Sequence, residues 1–100
     1  MKLVGIMSLK EHRNVVRDLL RSQDVQIYSE TEILGHSTET IARIGWFATT
    51  DETPEYSTLC FAIMPDASAE AVFAAIAAYV SGHPGDHPLR AFLVPVEAMI

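Results

Sequence analysis

The sequence predicts an α+β fold: a ferredoxin-like β-α-β-β-α-β sandwich with a four-stranded antiparallel sheet and two helices on one face. Three observations carry this. Two stretches place apolar residues at helical spacing, and short apolar or period-two runs flank them. The runs follow the order strand, helix, strand, strand, helix, strand. At 100 residues, the chain is the length of a single domain, 1–100, with one small core.

The first strand is the apolar run Leu3 to Met7. Ser8-Leu9-Lys10-Glu11 then reads as a capping box, in which the Ser8 hydroxyl accepts from a backbone N–H and Glu11 reaches back. The helix it opens runs to about Gln23, with Val15, Val16, Leu19 and Leu20 on one face. From Val25 to Leu34 the period becomes two, which marks the second strand, and Gly35 breaks it. Residues 36–56 form a long connection rich in Thr and Glu, and a connection this long inside a compact domain is usually functional or mobile.

Ser57 to Met64 is apolar on both faces and is expected to be a central strand. Leu59, Phe61 and Ile63 share one face, Cys60, Ala62 and Met64 the other. Asp66 or Ser68 caps the second helix, Ala67 to Val80, whose inward residues are Val72, Phe73, Ile76 and Val80. Gly82 takes the usual C-terminal glycine position. The last strand runs from Arg90 to Val96, and Pro95 puts its end at an edge or bulge. Two helices cover one sheet face, so the other, expected to carry Cys60, Ala62 and Met64, is left bare. Self-association is the simplest cover for it.

With 7 basic and 13 acidic residues the net charge is -6, which disfavours nucleic-acid backbones and anionic membranes. The hydrophobic fraction of 49% is high for this length: either the core is dense or some apolar surface is reserved for partners. A lone cysteine, Cys60, in an apolar run fits a buried thiol in a reducing compartment. No signal-peptide pattern or membrane-length apolar run is seen, so a cytoplasmic protein without membrane insertion is expected.

Ser81-Gly82-His83-Pro84-Gly85-Asp86 can aim backbone N–H groups at an anion, although an ordinary turn has the same composition. Here the chain resembles the PII signal-transduction proteins, the nitrogen regulatory PII superfamily, in a divergent PII-like form. The likeness covers nearly the whole chain. It rests on the opening Met1 to Met7, on Ser29-Glu30-Thr31-Glu32-Ile33-Leu34-Gly35, on Ser81, Gly82, Gly85 and Asp86, and on the ending Leu93-Val94-Pro95-Val96-Glu97. The connection 36–56 corresponds to the family's T-loop, and the segment after the second helix to its B-loop. The Gly-Lys that closes the family's B-loop is replaced by His87-Pro88-Leu89-Arg90, two residues longer, with Arg90 as the positive charge. The tyrosine-bearing T-loop signature is absent, so uridylylation is not expected.

The resemblance implies a homotrimer with ligand clefts between subunits. It places Ser29, Gly35, His36, Gly82, Gly85, Asp86 and Arg90 in the cleft, with ATP, ADP or AMP, or a small anion, as ligand. Phosphates would sit on B-loop N–H groups beside Arg90. Loop 36–56 would engage a target protein such as a transporter or enzyme, with Trp46-Phe47 as an aromatic anchor or a subunit contact. Two alternatives stand beside this. His36, His83 and His87 make a candidate metal site, weakened by the Pro and Gly between the last two. A ligand-free oligomerisation module is the other. Glu30 and Glu32 read as a solvated strand face rather than a catalytic pair. No nucleophile arrangement, complete P-loop or strong metal motif is present, and an enzyme is not expected.

Overall fold

The structure is a computed structural model that describes residues 1–36, 55–85 and 89–100. Its elements are β1 (Lys2–Leu9), a 3-10 turn (Lys10–His12), α1 (Arg13–Ser22), β2 (Ser29–Gly35), β3 (Glu55–Met64), α2 (Asp66–Gly82) and β4 (Arg90–Pro95). The strands form one sheet in the order β2-β3-β1-β4, and every neighbouring pair is antiparallel. The α+β sandwich expected from the sequence is therefore present.

The helices pack on one sheet face. Val4 and Ile6 from β1 and Cys60 and Met64 from β3 meet Val16 and Leu20 of α1 and Ala69, Val72 and Ile76 of α2. Leu89 is buried too and ties the start of β4 to this core. Burial of such side chains, at about 25 cal/mol per Å² of apolar area, is the main drive to fold.

This arrangement corrects the expected faces of β3. Cys60 and Met64 lie under the helices, while Phe61 and Ile63 are 40% and 43% exposed on the bare face. Both faces of this strand are apolar, so the period-two pattern alone did not assign them. The bare face is nonetheless apolar, as expected: Leu3, Leu59, Phe61, Ile63, Phe92 and Val94 share it by register. The Phe92 ring lies across Gly5, its partner on β1, and fills the space a Cβ would take. Pro95 ends β4, which is an edge strand.

Several local expectations also change. Ser8 is not a helix cap: β1 continues through it, paired to Thr58, and its hydroxyl is buried with no partner among the described residues. The chain enters α1 through the 3-10 turn instead, with no side-chain cap. Residues 25–28 are outside β2. Asp24 takes a positive φ of 60°, the Val25 N–H donates to the Leu20 carbonyl at 2.9 Å, and Val25 and Tyr28 pack towards the core. Burial of these two side chains therefore displaces strand pairing.

At α2, Pro65 holds the cap position without a side-chain bond. Asp66 instead accepts from the Met1 ammonium at 2.5 Å, a contact that holds its carboxyl below the usual range. Phe73 is 38% exposed rather than inward, and Gly82 is the last helical residue rather than the glycine beyond it. Among the described residues, no helix is long and apolar enough to cross a membrane.

Candidate functional site

The expected cleft residues fall into two groups on opposite edges of the sheet. Ser29 and Gly35 begin and end β2, and His36 follows, exposed. Six residue steps along the strand take Ser29 to Gly35, a span of about 20 Å at 3.3 Å per residue. Gly82 ends α2, Gly85 lies exposed beyond it, and Arg90 opens β4. Asp86 and His87 lie outside the described residues, as do Trp46-Phe47 and residues 37–54 of the T-loop-like connection.

Register fixes how these groups relate. Arg90 pairs with Met7, Met7 with Leu59, and Leu59 with Thr31, so Arg90 stands level with the middle of β2. Three strand spacings of about 4.8 Å separate the edges, about 14 Å in all. Ser29, Thr31 and Arg90 project from the bare face, since they alternate with the residues around Cys60 that face the helices. Within one chain, then, Arg90 does not meet Ser29 or Gly35.

The two B-loop glycines are not required by the chain's own geometry. Neither has a positive φ, and a Cβ added at either would meet nothing within 4 Å among the described residues. Glycine at such a position leaves room for close approach by another backbone or a ligand. His83 sits between them. Its Nδ1 is 2.9 Å from the Tyr79 carbonyl, and its ring stacks on Tyr79 with centroids 4.0 Å apart and planes 12° from parallel. His83 thus closes the last turn of α2.

That contact bears on the metal alternative. His83 belongs to the β4 side and His36 to the β2 edge, and no group of three or more metal-ligating side chains forms among the described residues. Glu30 and Glu32 are exposed, as a solvated face requires. Glu32 pairs with Lys10 at 2.7 Å, which holds its carboxyl below the usual range. Glu30 accepts from the Cys60 thiol at 3.8 Å.

An open cleft beside the end of β1 is lined by Lys10, Arg13, Asn14 and Tyr56. The sequence reading named Lys10 only within the expected capping box and did not single out Arg13, Asn14 or Tyr56. Their convergence depends on β1 ending next to Tyr56 of β3, a long-range register with no local signal.

The sequence matches no family model. It also matches none of the curated proteins. Solved structures do resemble it. CPII from Thiomonas intermedia K12, bound to ADP, AMP and acetate, superposes with a TM-score of 0.64 at 14% identity, over 92% of this chain and 81% of that one. A second structure of CPII, a nitrogen regulatory PII-like protein, is bound to ADP, AMP and bicarbonate. It superposes with a TM-score of 0.61 at 15% identity, over 99% of this chain and 94% of that one. The expected likeness to PII-like proteins therefore holds at the level of the fold.

Proposed function

We propose that this chain is a PII-like regulatory subunit rather than an enzyme. It forms a homotrimer in the cytoplasm, takes an adenine nucleotide or small anion between copies, and reports occupancy to a target protein through loop 36–56. The carrying observation is the split site. Ser29, Gly35 and His36 lie on one edge of the sheet, and Gly82, Gly85 and Arg90 on the β4 side. A single chain leaves about 14 Å between the edges. A neighbour that brings its β4 side to the β2 edge completes one cleft per subunit.

Further support comes from three sources. Exposed Gly82 and Gly85 leave room for a phosphate to approach the backbone, and Arg90 is an exposed positive charge. The bare face offers apolar surface for the trimer to cover. The CPII structures of the same fold hold ADP and AMP. Ligand binding would select among conformations of loop 36–56 and so change which target it engages.

Calorimetric titration with ADP and AMP tests this. Wild type is expected to bind, and Gly85→Val to lose at least tenfold in affinity with its mass in solution unchanged. Equal affinity in the variant would remove the B-loop from the site.

A further inference from the structure

Pairing among the basic side chains is uneven. Lys2 and Lys10 are held in ion pairs, with Glu70 at 3.6 Å and Glu32 at 2.7 Å. Arg17 and Arg21 are exposed and form no ion pair among the described residues. They stand four apart on α1, so both guanidinium groups rise from one face of the helix, a turn from each other. In a chain of net charge -6 acids are plentiful, yet neither arginine has taken one.

Both arginines line an open cleft of about 390 Å³, together with Asp24, Val25, Gln26 and Tyr28. The turn that leaves α1 fixes its walls. The Asp24 N–H donates to the Arg21 carbonyl at 3.0 Å, and those of Gln23 and Val25 donate to the Leu20 carbonyl at 3.1 and 2.9 Å. Val25 and Tyr28 pack against the core. These bonds also act on charge. A helix C-terminus presents carbonyl oxygens that repel an anion. Here the carbonyls of Leu20 and Arg21 are occupied by the turn, and that of Leu19 by the Ser22 hydroxyl at 2.7 Å.

We propose that this cleft binds the carboxylate of a small organic acid, held by Arg17 and Arg21 with the Gln26 amide as a further donor. Guanidinium groups meet a carboxylate fork to fork. The lining selects carboxylate over phosphate by its charge: two arginines against Asp24 leave one net positive charge. That balances a carboxylate and falls short of the roughly 1.5–2 negative charges of a phosphate group. Val25 and the Tyr28 ring offer the body of the acid an apolar wall, and the volume lies in the range of small-molecule sites, about 300–1,000 Å³. The Tyr28 hydroxyl, then Glu30 and Asp18 beyond ion-pair distance, raise the Arg17 pKa, so its charge is secure. The cleft lies beside β2, whereas Gly82, Gly85 and Arg90 lie on the β4 side, so the site stands apart from the nucleotide reading above.

The test is a ¹⁵N-resolved NMR titration of the full chain at fixed ionic strength, with sodium benzoate, phenyl phosphate and sodium chloride as probes. Benzoate is expected to give saturable shifts confined to the end of α1, to residues 23–28 and to the two guanidinium Nε–H signals. Chloride is expected to give none, and phenyl phosphate to bind more weakly than benzoate. The double variant R17Q/R21Q should lose at least about tenfold in benzoate affinity, since charge-assisted hydrogen bonds are removed. Asp24→Asn keeps the left-handed turn, which asparagine tolerates, and should tighten benzoate about threefold or more by removing the opposing charge. Shifts that never saturate, that spread over the whole protein or that survive in R17Q/R21Q overturn the site. Tighter binding of phenyl phosphate than of benzoate, or an unchanged affinity in Asp24→Asn, overturns the choice of carboxylate.

Discussion

Ser8 and Cys60 sit two residues apart in register, on the helix-covered face of the two central strands, and each carries a test of its surroundings. The Ser8 hydroxyl is buried without a partner among the described residues. A capping serine would lose about 1 kcal/mol on change to alanine. In this fold, Ser8→Ala is expected to leave stability unchanged or raise it, as read by urea denaturation. Cys60 is pushed up from the usual 9.0 to about 11, first by burial and then by the Glu30 carboxylate. The unfolded chain gives up this proton earlier than the folded one. The stabilisation from keeping the thiol neutral is thus complete below pH 9.0 and is lost as pH rises towards about 11. Wild type is expected to lose stability across that interval relative to Cys60→Ala, and parallel pH profiles would contradict the buried placement. The sequence made the thiol's burial legible through its apolar run. It misread Ser8, because a local capping pattern carries no information about a strand that extends through it.

At the scale of elements, order and helix–strand alternation were legible, and faces and ends were less so. The inner face of α1 was read correctly, since Val16 and Leu20 are buried and polar residues mark the opposite side. α2 is rich in alanine on nearly every side, so its inward face was not marked by contrast, and Phe73 was placed inside although it is 38% exposed. The expected consequence is an asymmetry between neighbours. Ile76→Ala should cost about 2–5 kcal/mol by leaving a core cavity. Phe73→Ala should cost less than about 1 kcal/mol, as a surface change does. Thermal unfolding of the two variants separates them, and equal losses would place Phe73 in the core. β2 came out shorter than its period-two pattern because Val25 and Tyr28 gain more from packing against the core than from pairing at the sheet edge. A one-dimensional pattern does not register that competition.

For the whole molecule, the bare sheet face and the split candidate site lead to the same architecture. Phe61, Ile63 and Val94 are each 40–43% exposed on one face, an apolar surface that a second copy would cover. Ser29 and Gly35 lie across the sheet from Arg90 and the B-loop glycines, an arrangement that one chain leaves open and a ring of chains closes. The sequence resemblance named these residues as candidates. Their placement on opposite edges was not, because it follows from the strand order β2-β3-β1-β4, a long-range property. Native mass spectrometry with and without ADP tests the central claim most directly, since it reads chain number and bound ligand in one spectrum. A trimer that gains up to one ADP per chain is the expected result. A monomer, or a trimer that gains none, would contradict it.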